Sequence, residues 1–83
     1  MRQRNRDQET IWIEILEIAA EPVTKSKLRM SVDMNLAQTH KHVDLLTDQG
    51  YLRLDAKGRY ETSQEGKHEL LPRLRAVTAV TEV

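Results

Sequence analysis

Three residues, Thr24, Asn35 and Gly50, constrain the fold of this chain more than any other feature. Thr and Asn side chains accept from the free N–H groups at a helix start, and Gly commonly ends a helix in the left-handed conformation. Thr24 therefore predicts a short helix through about Ser31, with Lys25 and Lys27 outward and Leu28 inward. Ser31-Val32-Asp33-Met34 reads as a turn. Asn35 opens a longer helix from Leu36 to Gln49, whose buried stripe is Leu36, Thr39, Val43 and Leu46 with Leu45 beside it, and Gly50 stops it.

The flanking segments complete the pattern. Residues 8–20 carry Ile11, Ile15, Ile18 and Ala19 at helical spacing, widened by Trp12 and Leu16, and Glu21-Pro22 ends that run because the residue before proline avoids the helical region. Ile13 falls outside the stripe; it belongs either to a wide core face or to a second contact surface. After Gly50, Tyr51–Leu54 and Arg59–Thr62 read as two short strands around Asp55-Ala-Lys-Gly58, a type I turn closed by a left-handed glycine. Thr62-Ser-Gln-Glu65 reads as a capping box opening a fourth helix through Leu70, Leu71, Leu74 and Val77, which Pro72 must kink or interrupt. The order helix-helix-helix-hairpin-helix is mostly α with a small β-hairpin: a winged helix-turn-helix over residues 8–75, between a basic arm (1–7) and a short tail without clear period (76–83).

Composition sets the outer limits. Eighty-three residues make one small domain, and 39% hydrophobic with 31% charged residues is too apolar for a disordered chain. So small a core is marginal alone, which makes self-association useful. Without cysteine, disulfides, thiolate zinc sites and Cys nucleophiles are excluded. No uncharged apolar run is longer than Ile11-Trp12-Ile13, far below the roughly 20 residues of a membrane span, and no signal core follows the basic start. The expectation is a cytoplasmic, nucleoid-associated protein with no membrane contact.

Net charge is zero, yet the signs alternate in blocks. Arg2, Arg4 and Arg6 are followed by the acids Asp7, Glu9, Glu14, Glu17 and Glu21. Lys25, Lys27, Arg29 and Lys41 then dominate residues 24–42, with His40 and His42 in reserve, and Arg53, Lys57 and Arg59 dominate the hairpin. Phosphate responds to the local field, so a neutral chain still builds a basic face if its fold gathers these blocks.

On the third helix, the stripe leaves Ala37, His40, Lys41 and Asp44 facing out, with Gln38 at its edge. Asp44 and Asp48 burden the C-terminal half, so the N-terminal half would enter a major groove: Asn35, Gln38 toward adenine, Lys41 toward guanine or phosphate, His40, and Ala37 leaving room for a thymine methyl. Lys25, Ser26 and Lys27 at the second helix start suit a phosphate. Arg53, Lys57 and Arg59 suit the backbone or minor groove, as do Arg2, Arg4 and Arg6 in the arm. Each set also has a plain reading: a solvated helix face, a charged hairpin edge, a solubilising end.

In Ile15-Leu-Glu17, Lys25-Ser-Lys-Leu28, His42-Val-Asp-Leu-Leu-Thr-Asp-Gln-Gly-Tyr-Leu52 and Tyr60-Glu-Thr-Ser-Gln-Glu-Gly-Lys67 the chain resembles the archaeal winged helix-turn-helix family of small DNA-binding regulators and chromatin-like proteins. The shared pattern is a leucine-rich third helix ending in Gly and an apolar pair, then an aromatic, a Thr and a Gly four residues beyond it: Tyr60, Thr62 and Gly66. The resemblance covers residues 8–71. It implies sequence-preferring binding of double-stranded DNA by a homodimer, with the third helix in the major groove. Some members dimerise through a long C-terminal coiled coil; only eleven residues follow Pro72 here, so helix one and the fourth helix are the candidate dimer surfaces.

No Ser/His/Asp set, Gly-rich phosphate loop or close carboxylate pair occurs at usable spacing, so no enzyme is expected. His40 and His42 point about 200° apart on a helix and cannot share an ion, so no metal or other cofactor is expected. Trp12 is read as core, and no small-molecule effector is evident. A transcriptional regulator and an architectural protein both fit; the alternative is a winged helix serving as a protein-protein interaction module in a larger complex.

Overall fold

The computed structural model describes residues 8–82. The basic arm with Arg2, Arg4 and Arg6 lies outside the described residues. Four helices and a small sheet follow in the order α1 (Gln8–Ile18), β1 (Val23–Thr24), α2 (Lys25–Val32), α3 (Leu36–Asp48), β2 (Leu52–Leu54), β3 (Arg59–Thr62) and α4 (Leu71–Glu82). Among the described residues no helix is long and apolar enough to cross a membrane.

At the start of α2 and at both ends of α3 the local chemistry is the one the punctuating residues predict. The Thr24 hydroxyl accepts from the Lys27 N–H at 3.1 Å. Asn35 and Gln38 form a reciprocal capping box at 2.7 and 3.1 Å. Gly50 takes φ +87°, and the N–H groups of Gly50 and Tyr51 return to the Thr47 and Leu46 carbonyls, a Schellman closure of α3. Asp33, the C-cap of α2, also adopts the left-handed conformation, at φ 60°, as a short polar residue can.

α1 packs against α2 and α4, and α3 against α2 and β2. The core is Ile11, Trp12, Ile15, Leu16 and Ala19 from α1, Leu28 and Val32 from α2, Val43 and Leu46 from α3, with Met34, Leu52, Tyr60, Leu70, Leu71 and Leu74. Ile13 packs half-buried against it, which favours the wide core face over a second contact surface. The turn read at 31–34 spends its apolar residues on the interior: Val32 ends α2 and Met34 is buried beside it.

Several expectations need correction. The hairpin is part of a three-stranded antiparallel sheet of order β1-β3-β2, because Val23 and Thr24 pair with Tyr60 and Arg59. α1 ends two residues early, and its last carbonyls are taken by β3: the Thr62 N–H donates to Ala19 at 2.8 Å and its hydroxyl to Leu16 at 2.7 Å. Thr62 belongs to β3, and Ser63 caps the fourth helical stretch one residue later, its hydroxyl accepting from the Gly66 N–H at 3.1 Å. Pro72 neither breaks nor ends that stretch; Gly66–Leu70 forms a wide π-helical turn, and the missing proline N–H falls where the wide turn gives way to α4. The backbone read as a tail, 76–82, continues as helix.

Leu36 leaves the buried stripe altogether and is 56% exposed. It sits in the first turn of α3, beyond the reach of the core that covers Thr39, Val43 and Leu46. His42 makes the opposite move: counted among the basic reserve, it is buried at 6% exposure.

Candidate nucleic-acid interface

Lys25 organises the outer side of the molecule. It is the first residue of α2, and its ammonium donates to Asp44 Oδ1 at 3.3 Å and lies 3.2 Å from His40 Nδ1, both on the outward face of α3. The same ammonium lies 5.6 Å from the centre of the Tyr60 ring on β3. One side chain thus ties together the start of α2, the exposed side of the third helix and the root of the hairpin. The pairing of Thr24 with Arg59 brings the hairpin's Arg59 backbone to the same place. Part of the Lys25 charge is answered by Asp44, which in turn removes some of the repulsion Asp44 would offer a phosphate.

The hairpin turn is built by Asp55. Its carboxylate accepts from the Lys57 and Arg59 N–H groups, each at 2.9 Å, and pairs with the Arg59 guanidinium at 3.1 Å, while Gly58 closes the turn at φ +81°. The Arg59 backbone N–H above all, then that of Lys57 and the guanidinium, hold the Asp55 carboxyl below its usual range. Arg59 is therefore a bound member of the turn. Arg53 lies on the neighbouring strand directly opposite Glu61.

The other sequence-predicted residues fall into two groups. Ser26, Ala37, Lys27, Lys41, Arg53 and Lys57 are exposed, and the side chains of Lys27, Lys41, Arg53 and Lys57 have no hydrogen bond or ion pair among the described residues. Asn35 and Gln38 are exposed but bonded to each other's backbone N–H through the capping box, so Gln38 Oε1 is already engaged. A bidentate pairing of Gln38 with adenine uses that oxygen.

Behind this surface lies a contact that sequence reasoning missed. The Trp12 indole N–H donates to His42 Nδ1 at 3.0 Å, joining α1 to the buried side of α3. An indole only donates, so Nδ1 must be unprotonated and the ring neutral. Burial pushes the imidazole below its ordinary 6.5, and the Lys41 cation beside it adds to the effect. With the folded value depressed, this contribution to stability is complete above pH 6.5 and is lost as pH falls from there through the folded value. Wild type is expected to lose more stability between pH 7.5 and 5 than His42→Gln, which offers the indole an acceptor that does not titrate. Urea unfolding at the two pH values measures the difference; equal losses exclude the role assigned to His42.

A family model described as winged helix-turn-helix matches residues 5–82, nearly the whole chain. The chain belongs to the winged helix-turn-helix family. Among solved structures it is similar to the crystal structure of Sso10a-2, a DNA-binding protein from Sulfolobus solfataricus, with a TM-score of 0.80 at 20% identity, covering 93% of this chain and 83% of that one. No protein of curated function matches it in sequence. In winged helix-turn-helix terms α2 and α3 are the helix pair and β2–β3 is the wing; Lys25 sits where the pair and the wing meet.

Proposed function

We propose that this protein binds double-stranded DNA, with α3 entering the major groove and the wing lying along the backbone or minor groove. The observation that carries the reading is the seating of Lys25, which sets the α2 start, the outward face of α3 and the wing root side by side. Unpaired Lys27, Lys41, Arg53 and Lys57 supply charge for phosphate contacts, and the DNA-binding description of the similar Sulfolobus protein agrees with the assignment. By sequence, Arg2, Arg4 and Arg6 are assigned further phosphate contacts along the backbone or minor groove. The protein acts as a homodimer, through α1 or α4, and serves as a small transcriptional regulator or architectural factor whose sequence preference comes from α3.

Salt titration of duplex binding tests this. With roughly 3 to 5 phosphates engaged per subunit, log affinity of a dimer falls against log salt with a slope of about −5 to −9. A slope near zero rejects the phosphate interface. That result would favour a protein-interaction module, the reading supported by zero net charge and by the pairing of Lys25 and Arg59 with acids of the same chain.

A further inference from the structure

The first turn of α3 presents apolar side chains where polar ones would ordinarily read bases. Leu36, 56% exposed, and exposed Ala37 stand next to each other there, and one turn further along the same edge come His40 and Lys41. The amide oxygens of that turn are engaged in the cap: Asn35 Oδ1 accepts from the Gln38 N–H, and Gln38 Oε1 accepts from the Asn35 N–H, which leaves their NH2 groups as donors. Opening this box would free a hydrogen-bonding amide at the cost of the helix cap. Beside the two amide NH2 groups, what α3 offers a base edge at its leading end is an exposed hydrocarbon pair, flanked by the ammonium of Lys41.

The major groove has a single apolar group among its base edges, the C5 methyl of thymine. Resting on the DNA-binding reading above, we infer that Leu36, with Ala37, is a specificity-determining contact that reads thymine through its C5 methyl group. Lys41 provides the charge complementarity that holds the edge against a phosphate-flanked groove, and Leu36 gains by leaving water only where a methyl meets it. A cytosine at the same place offers a bare C5–H, and a purine offers polar N7.

Deoxyuridine isolates this contact, because it keeps every hydrogen-bonding group of thymidine and lacks only the methyl. The full chain is titrated with an A·T-rich duplex and with the same duplex in which each thymidine is replaced by deoxyuridine. Wild type is expected to bind the uridine duplex about fourfold more weakly for each contacted thymine, the weight of one buried methyl group. Leu36→Ala removes an exposed side chain, keeps a strong helix former, and is expected to bind the two duplexes nearly alike. Equal binding of both duplexes by wild type overturns the inference, and so does a Leu36→Ala variant that discriminates as wild type does. Failure of wild type to bind either duplex at low salt removes the DNA-binding reading itself, an outcome distinct from equal binding.

Discussion

Reversing charge at Lys41 and Lys57 together, as Lys41→Glu with Lys57→Glu, is expected to weaken duplex binding about 100-fold or more and to lower the salt slope by about two per subunit. The two positions belong to different elements, the outward face of α3 and the wing turn, so their joint effect reports the composite surface and not one patch. Neither side chain is hydrogen-bonded or paired among the described residues, and both are exposed, so the fold loses little when they change. Arg59 is a poorer choice despite its place on the wing. Its guanidinium pairs with Asp55, and Arg59→Glu would set two carboxylates against each other across the turn. Lost binding there would leave the surface and the wing's shape confounded. Mobility shift against salt, with circular dichroism confirming an unchanged melting temperature, makes the measurement; undiminished binding by the folded double variant rules out this face as the DNA surface.

The features legible in the sequence are those whose chemistry is local. Thr24, Asn35 and Gly50 act within one helical turn of themselves, and Asp55 with Gly58 closes a turn within five residues, so their roles follow from residue type and spacing. The features that escaped depend on partners far along the chain. β1 is two residues long and exists because β3 lies beside it. Thr62 and Ser63 are equally good caps by type; the pairing of Thr62 with Leu52 in the sheet and the seating of its hydroxyl on the Leu16 carbonyl, 46 residues away, leave the cap to Ser63. Leu36 keeps the helical period of Thr39, Val43 and Leu46, yet period says nothing about where the core ends. His42 reads as polar until Trp12, 30 residues earlier, supplies its donor. The candidate interface divides the same way: its elements and exposed cations follow from the pattern, whereas the engagement of Lys25 by Asp44, of Gln38 by the cap and of Arg59 by Asp55 belongs to the folded chain.

These long-range contacts also decide how the interface is held in place. The end of α3 passes directly into the wing through Gly50 and Tyr51, and the start of the fourth helical stretch is fastened onto that passage: the Ser63 hydroxyl donates to the Gly50 carbonyl at 2.6 Å and the Ser63 N–H to the Tyr51 carbonyl at 3.0 Å. β3 is fastened in turn to α1 through Thr62. The angle between the third helix and the wing is therefore set by buried, satisfied polar groups, whose loss is expensive because each leaves an unpaired partner behind.

Gly66 is where this junction is tightest, and Gly66→Ala is expected to cost about 3 kcal/mol or more, lowering the melting temperature by about 15 °C. Its need for glycine is spatial, since a Cβ at this position would lie 2.5 Å from the Tyr51 carbonyl oxygen and 2.8 Å from Thr62 Cγ2. Neither neighbour retreats freely: the Tyr51 oxygen holds the Ser63 N–H, and Thr62 is bonded to α1 through both its N–H and its hydroxyl. Relief must come from lifting the π-helical turn off the wing root, which breaks the Ser63 latch and withdraws Leu70 and Leu71 from the core. The sign of the change makes the test sharp. In an exposed helix interior, glycine to alanine stabilises by roughly 1 kcal/mol, so a rise in melting temperature would show that the fourth helical stretch does not press on the wing as described. Lys67→Ala, one residue along and exposed, controls for composition and is expected to stay within about 0.5 kcal/mol of wild type. If both variants unfold together with wild type, the junction is loose, and the wing's angle to α3 must be set elsewhere.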